Sequence, residues 1–296
     1  MDVRVLRYFL AVAQEESISG AAEYLHLTQP TLSRQLMDLE QELGKKLLIR
    51  GSRRVTLTED GLLLRKRAGE IVALVDKTES EFHETEGDIS GEIYIGGGET
   101  AAMRLIARTA RDLQEQYPHI RYHLFSGNAD DVMERLDKGL LDFGLLIEPV
   151  DLKKYDHFHL PVTDSWGVLM RRDSPLAEKD SIHPKDLWNV PLLISRQSMI
   201  EHGLSNWMRR NYNELDIAGT YNLLFNAALM VEAGMGYAVC LDKLVNTMDT
   251  SGLCFRPLAG SQGAGMDIAW KKYQVFSKAS QKFLERLQES FSEDTP

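Results

Sequence analysis

Cysteine is scarce in this chain. Only Cys240 and Cys254 occur among 296 residues, with no CxxC pair and no Cys/His ligand spacing. Neither a disulfide framework nor a zinc site is expected, and no metal or other cofactor is assigned. Long apolar runs are also missing. Ile217 to Val231, the longest uncharged stretch in the apolar C-terminal part, is interrupted by Asn222 and Asn226 and falls short of the ~20 residues a spanning helix needs. The N-terminus places Asp2, Arg4 and Arg7 where a signal peptide would keep its apolar core, so a cytoplasmic protein without a membrane partner is expected. No GxSxG elbow, P-loop or HExxH is present, and the eight histidines are scattered, His157 and His159 falling in an expected connecting segment. No catalytic residue is assigned, and the chain is not expected to be an enzyme.

Positive charge is in deficit overall, with a formal net charge of −10, which argues against a generic polyanion binder. The distribution is uneven. Residues 1–67 carry 11 Lys+Arg against 9 Asp+Glu, and the remainder 23 against 35. Lys45, Lys46, Arg50, Arg53 and Arg54 fall within ten residues, a local density suited to phosphate contacts. With 43% hydrophobic and 26% charged residues, the chain is long enough to bury the cores of about two globular domains.

Apolar spacing predicts a helix over Val3–Gln14, a second helix capped by Ser17 or Ser19, and a third beginning at Thr28. The third carries Leu32, Leu36, Leu39 and Leu43 on one face, holds Pro30 in its first turn and ends at Gly44. Leu47–Ile49 and Val55–Leu57 read as two strands flanking the basic turn Arg50-Gly51-Ser52-Arg53-Arg54. A long helix follows from Glu59 to Glu86, in which Leu64, Ala68, Ile71, Val75, Thr78 and Phe82 alternate four and three apart, the spacing of an interchain seam. Past Gly91 the pattern becomes alternating strands and helices, including helices over Ala101–Gln116, Ile200–Asn211 and Tyr221–Glu232, as expected of parallel sheets covered by helices.

The helix pair spanning Ser17 to Gly44 fits a helix-turn-helix, whose second helix enters the major groove of double-stranded DNA. Its polar face offers Thr28, Gln29, Pro30, Thr31, Ser33 and Arg34. Gln29 suits adenine, Arg34 guanine, and the hydroxyls suit phosphates. A plain helical hairpin would account for the helices alone. The adjacent wing with Arg50, Arg53 and Arg54 favours the DNA reading.

These residues also carry a family resemblance. The stretch FLAVAQEESISGAAEYLHLTQPTLSRQLMDLEQELGKKLLIRGSRRVTLTEDG closely resembles the N-terminal signature of LysR-type transcriptional regulators. Leu48 departs from the usual Phe and Asp60 from the common Ala. Gly98-Glu99-Thr100, Gln116-Tyr117-Pro118, Gly127-Asn128 and Ala233-Gly234-Met235-Gly236 are similar to the family's effector domain. The resemblance implies an N-terminal all-α winged helix-turn-helix over residues 1–58, a dimerising linker helix over 59–87, and a two-lobed α/β, periplasmic-binding-protein-like effector domain over 92–296. Lobe I would comprise 92–163 and 262–296, and lobe II 164–261. It further implies a homodimer, commonly assembled into a homotetramer, and a small-molecule effector in the interlobe cleft.

Gly96-Gly97-Gly98-Glu99-Thr100-Ala101 also satisfies GxGxxA, the dinucleotide fingerprint of an oxidoreductase, so the alternative is a cytosolic nucleotide-dependent enzyme with a DNA-binding appendage. That alternative wants an acidic residue after the second strand, where Ser126-Gly127-Asn128 stands instead. Ligands of open α/β sheets sit beyond the carboxyl ends of strands, which here selects Glu99, Thr100, Ser126, Gly127, Asn128, Ser195, Arg196, Gln197, Asn222 and Phe225. Thr100, beside free helix amides, is the expected anchor for a ligand carboxylate. Glu99 would oppose a bare anion and favours an effector with a donor or positive group.

Base reading is testable directly. Arg34→Ala and Gln29→Ala should each lower specific affinity by about 1–3 kcal/mol and relax preference at the contacted bases, whereas Arg53→Ala should weaken specific and random DNA alike. Unchanged operator binding by Arg34→Ala across a salt series would overturn the placement of the recognition helix at the helix beginning at Thr28.

Overall fold

A computed structural model describes residues 1–51, 54–82, 89–195, 203–248 and 251–292. The chain divides into two compact units, Met1–His83 and Glu84–Pro296. No helix among the described residues is long and apolar enough to cross a membrane.

The first unit opens with α1 (Val3–Glu15), α2 (Ile18–Tyr24) and α3 (Gln29–Leu43). Each start is capped by a side-chain oxygen: Asp2 accepts from the Arg4 amide, Ser17 from Gly20 and Thr28 from Thr31. Such caps satisfy amides that have no partner inside the helix. Gly44 ends α3 at φ 64°, a conformation glycine adopts without Cβ strain. The core joins Leu6, Phe9 and Val12 of α1 to Ala21 and Ala22 of α2 and Leu32, Leu36 and Leu39 of α3. The small alanines let the helices approach closely.

β1 (Leu48–Arg50) and β2 (Val55–Leu57) pair antiparallel, with Leu48 opposite Leu57 and Arg50 opposite Val55. Glu40 ties this hairpin to α3. Its buried carboxylate accepts the amides of Leu47 at 2.7 Å and Leu48 at 3.2 Å and meets Lys46 Nζ at 3.2 Å. Burial pushes the Glu40 carboxyl up, but the two amides and Lys46 outweigh it and hold it below its ordinary value.

The long helix α4 (Glu59–Phe82) follows a cap in which Thr58 Oγ1 accepts from the Gly61 amide at 3.0 Å. A Cβ on Gly61 would stand 2.2 Å from the Leu47 carbonyl oxygen, so only glycine lets α4 start against the hairpin. The expected seam is corrected over the helix's first half. Ala68 is fully buried in the first unit's own core, and Leu64, Ile71 and Val72 pack against that core. Helix α1 lies alongside, and Arg7 pairs with Asp76. The 3–4 spacing therefore serves an intrachain face here. Leu62, Leu63, Leu74 and Phe82 remain exposed. The expected helix end at Glu86 lies outside the described residues.

The second unit holds two five-stranded mixed sheets. The first runs β4 (Ile120–Ser126), β3 (Gly91–Gly97), β5 (Phe143–Ile147), β12 (Ala264–Lys271), β6 (Tyr155–Asp164). β3 lies parallel to β4 and β5, and β12 antiparallel to β5 and β6. α5 (Met103–Gln116) and α9 (Lys278–Ser292) pack with Ile95, Phe143, Met266 and Ile268, while α6 (Ala129–Asp137) packs with Leu146 and Ala269. The second sheet runs β11 (Leu253–Pro257), β7 (Trp166–Arg171), β10 (Tyr237–Leu241), β8 (Leu192–Ser195), β9 (Ile217–Tyr221). α8 (Leu224–Glu232) packs on Leu169 and Ala238, and α7 (Gly203–Met208) joins a separate cluster with Val168 and Ile194. The chain leaves the first sheet at Asp164, enters the second at Trp166, and returns between Pro257 and Ala264.

Several sequence expectations are corrected. Tyr221 closes a strand rather than opening a helix, and α8 starts at Leu224. Ile217–Tyr221 has a glycine at its centre and no strong alternation, so its strand character comes from pairing with β8. His157 and His159 lie within the ten-residue edge strand β6 rather than a connecting segment. β11 is a further strand the periodicity missed, and α5 begins two residues later than expected, at Met103. Only Gly203–Met208 of the expected helix over Ile200–Asn211 is described as α-helix, and its first three positions lie outside the described residues.

The Glu40 anchor has a pH signature. A carboxylate whose folded pKa is lowered contributes stability that is present above its unfolded pKa and lost as pH falls through the folded value. Glu40→Gln should cost about 1–3 kcal/mol at neutral pH, with the deficit shrinking as wild type is acidified below the ordinary carboxyl range. Thermal unfolding of both proteins from neutral to acid pH measures this. Equal stability at pH 7 would remove the anchor.

Candidate nucleic-acid interface and ligand cleft

The first two turns of α3 project a polar face away from the leucine core. Thr28, Gln29, Pro30, Thr31 and Arg34 are exposed and Ser33 is half-buried. The Thr28 and Thr31 hydroxyls are 2.8 Å apart. Arg50 reaches back from β1 to donate to Ser33 Oγ at 3.3 Å, which sets the hairpin beside the helix's first turns. Arg54 approaches Glu16 at 3.7 Å, both side chains being exposed. Exposed pairs of this kind are worth little and yield readily to a phosphate. Arg53 lies outside the described residues. The arrangement presents donors and one planar guanidinium on a helix, flanked by basic groups on a hairpin, as groove reading with phosphate contacts requires.

The second unit contains a cavity of about 530 Å³ between the strand ends of its two sheets. From the first sheet come Gly98 and Glu99 after β3, Gly127 and Asn128 after β4, and Ile147 and Glu148 at the end of β5. From the second come Trp166, Ser195, Tyr221, Asn222, Leu224 and Cys240, with Leu204 and Trp207 on α7 and Ser261 and Gln262 in the returning segment. Walls of this kind are mostly apolar with a few polar groups converging, as small-molecule sites usually are.

Of the residues selected from sequence, Glu99, Gly127, Asn128, Ser195 and Asn222 line this cavity, while Thr100, Ser126 and Phe225 do not. Arg196 and Gln197 lie outside the described residues. Thr100 is 5% exposed, and its hydroxyl donates to Asp164 Oδ2 at 2.5 Å. The same oxygen accepts the Ala101 amide at 3.0 Å. The turn expected to hold a ligand carboxylate already holds one from the chain itself, so Thr100 is not placed as that anchor. Ser126 and Phe225 are exposed at the ends of their elements, and Leu224 takes the inward position. Asn128 accepts the Asp131 amide at 2.9 Å and so caps α6 while facing the cavity.

The Glu99 carboxylate accepts the backbone amide of Leu224 at the start of α8, a bond that spans the cleft. The Tyr221 hydroxyl donates to the Val239 carbonyl at 2.5 Å, and burial raises its pKa well above the ordinary tyrosine value. Burial pushes the Cys240 thiol up to about 12. It stays protonated at neutral pH and acts as wall, not nucleophile. Trp207 is fixed by its indole donating to the Ala259 carbonyl at 3.0 Å. The four tryptophans divide between cavity and core. Trp166 and Trp207 line the cavity, whereas Trp188 and Trp270 pack in lobe cores.

Known proteins agree with this architecture. Residues 3–62 match the bacterial regulatory helix-turn-helix protein, lysR family, and residues 86–292 the LysR substrate binding domain. The HTH-type transcriptional regulator BsdA of Bacillus subtilis is 35% identical over 225 residues, covering 73% of this chain and 74% of its own. The Hca operon transcriptional activator HcaR of Escherichia coli is 28% identical over 302 positions and the full length of both chains. The crystal structure of full-length CbnR complexed with its target DNA superposes with a TM-score of 0.76 at 20% identity, over 98% of this chain and 100% of that one. Its likeness shows the fold. These relatives are regulators rather than enzymes, which sets aside the nucleotide-dependent alternative. The chain belongs to the LysR family of bacterial transcriptional regulators, with a regulatory helix-turn-helix followed by a substrate-binding domain.

Proposed function

We propose that this regulator reads double-stranded DNA through the exposed first turns of α3 and changes its output when a small molecule enters the cleft of the second unit. Gln29 and Arg34 contact base edges, while Thr28, Thr31, Ser33, Arg50, Arg53 and Arg54 engage the backbone, with Pro30 setting the approach of the first turn. The observation that carries this reading is the exposed polar face of α3 held beside the basic hairpin through Arg50 and Ser33. The functional divisions follow as residues 1–58 for DNA, 59–87 for association and 92–296 for the effector, and the protein works in the cytoplasm.

The effector has an apolar body that packs on Trp166 and Trp207 and a donor directed at Glu99 or Asn222. Entry competes with the Glu99–Leu224 bond and so biases the separation of the two sheets. A ligand shifts such an equilibrium only by its preference for one arrangement. Association as a homodimer, and onward to a tetramer, uses the part of α4 its own unit leaves uncovered. Phe82 of the expected seam qualifies, joined by Leu63 and Leu74 and bordered by half-buried Val75, whereas Leu64, Ala68 and Ile71 support α4 from within.

Selection of duplexes from a random pool should return a motif of two half-sites, as a two-fold assembly demands. Leu74→Glu should lower the sedimenting mass and weaken two-site binding while leaving the melting of the first unit nearly unchanged. Ile71→Asp should lower that melting temperature as well, since burying a charge in a packed face costs stability. An unaltered oligomer in Leu74→Glu removes α4 from the interface. For the cleft, ligand entry should alter tryptophan fluorescence, and Trp207→Ala should remove most of that response while leaving effector-free DNA affinity within about twofold. A full response in Trp207→Ala would move the effector elsewhere.

A further inference from the structure

The first sheet of the second unit brings together three metal-ligating side chains from distant positions. Asp267 sits in β12 directly opposite His159 of β6, with Leu146 of β5 on its other side. Glu148, just past β5, bonds through its amide to the Gly265 carbonyl at 3.0 Å. His159 Nδ1 lies 3.2 Å from Asp267 Oδ1 and 3.6 Å from Glu148 Oε1, and all three donor atoms fall within 4.8 Å of one another.

Three features distinguish this cluster from an ordinary surface pair. Asp267 is a carboxylate only 3% exposed in an otherwise apolar stretch, Ala264 to Ala269, and His159 is its only hydrogen-bonding side chain among the described residues. A buried carboxylate is costly unless positive charge or several donors compensate it. Second, a neutral imidazole nitrogen offers either one proton or one lone pair, yet Nδ1 of His159 faces two carboxylates at once. A hydrogen bond to Asp267 leaves Glu148 matched only by solvent, whereas a cation between them can be ligated by all three. Third, the backbone is shaped for the approach of Glu148. A Cβ on Gly265 would stand 2.1 Å from Glu148 Oε2, and the β12–β6 register shifts between Gly265 and Met266, an irregularity of the kind that re-aims side chains.

The geometry points to a divalent transition-metal site formed by Glu148, His159 and Asp267. Donors about 2.0–2.2 Å from a tetrahedral zinc lie about 3.3–3.6 Å from one another; the His159–Glu148 separation of 3.6 Å lies at the edge of this range and the His159–Asp267 separation of 3.2 Å just below it. One imidazole with two carboxylates suits Zn²⁺ or its first-row neighbours and disfavours Mg²⁺, which wants six oxygens including water. Two of the ligands are open to solvent, His159 at 54% and Glu148 at 45% side-chain exposure, so an ion can enter. The three protein ligands leave a fourth position for water or another donor. Glu148 also lines the effector cavity, so occupancy would be felt there.

The test needs neither effector nor DNA. Untagged full-length protein titrated with Zn²⁺ in a calorimeter should bind one ion per chain at this site, undisturbed by excess Mg²⁺. Co²⁺ should give the intense visible absorption of a four-coordinate ion rather than the weak band of the hydrated one. Glu148→Gln should lower Zn²⁺ affinity by about tenfold or more, and His159→Ala should abolish the cobalt band. Both positions are exposed, so metal-free melting of Glu148→Gln should match wild type, separating lost binding from lost fold. Absence of one-to-one binding, equal competition by Mg²⁺, or unchanged affinity in both variants would overturn the site.

Discussion

The insertion of β12 antiparallel between β5 and β6 governs the second unit. It brings residues 264–271 back into a sheet whose parallel strands belong to residues 91–147, and buries Met266 and Ile268 in the same core as Ile95 and Phe143. With both ends of the second sheet's segment held by the first, the chain crosses between sheets twice. The strand ends of both sheets then face one another across a space neither can fill. The cavity follows from this connectivity, since a small molecule can be enclosed by two rigid sheets without either being unfolded. Asp164 marks the outgoing crossing, and its carboxylate binds the Thr100 hydroxyl and the Ala101 amide. The turn that starts α5 is thereby fixed to the crossing strand rather than left for a ligand.

The first unit depends in the same way on one buried carboxylate. Glu40 is a charged residue on the covered side of α3, and it is tolerable there because two strand amides and Lys46 compensate it. Its effect is positional. The hairpin is held to the C-terminal half of α3, which brings Arg50 to Ser33 at the other half. A more hydrophobic anchor would pack but would not specify register, because apolar contact is non-directional whereas two amide donors converging on one oxygen are not.

Helix α4 illustrates how a sequence pattern can fix a face without fixing what covers it. Its stripe at alternating three- and four-residue spacing predicts an apolar face but does not name the partner. The structure gives Ala68 entirely to the unit's own core, which takes up Leu64 and Ile71 in part, and leaves Leu63, Leu74 and Phe82 uncovered. The uncovered face is therefore offset only in part from the one the heptad selects, with Phe82 common to both. Periodicity reports that a face will be buried, and only the packed partner decides against what.

Much of the N-terminal unit was legible in the sequence, because its determinants are local. Thr28 and Ser17 are caps, Gly44 is a left-handed stop, and Leu32, Leu36 and Leu39 repeat at helical spacing. The basic residues after Arg50 follow directly in the chain, so the resemblance to LysR regulators rests on contiguous residues. The α/β alternation beyond Gly91 was legible for the same reason. The ligand cleft was not. Glu99, Asn128, Ser195 and Asn222 could be proposed from strand ends, but Thr100 was diverted by Asp164, sixty-four residues away. Trp207, Leu204 and Gln262 carry no local signal of facing the same space. Spacing likewise excluded a metal among neighbours in sequence, while Glu148, His159 and Asp267 meet only because three strands lie side by side. Helix caps and apolar repeats act over a few residues and are written in the chain. Which side chains converge on one cavity is decided by strand order, a long-range choice that no short stretch contains.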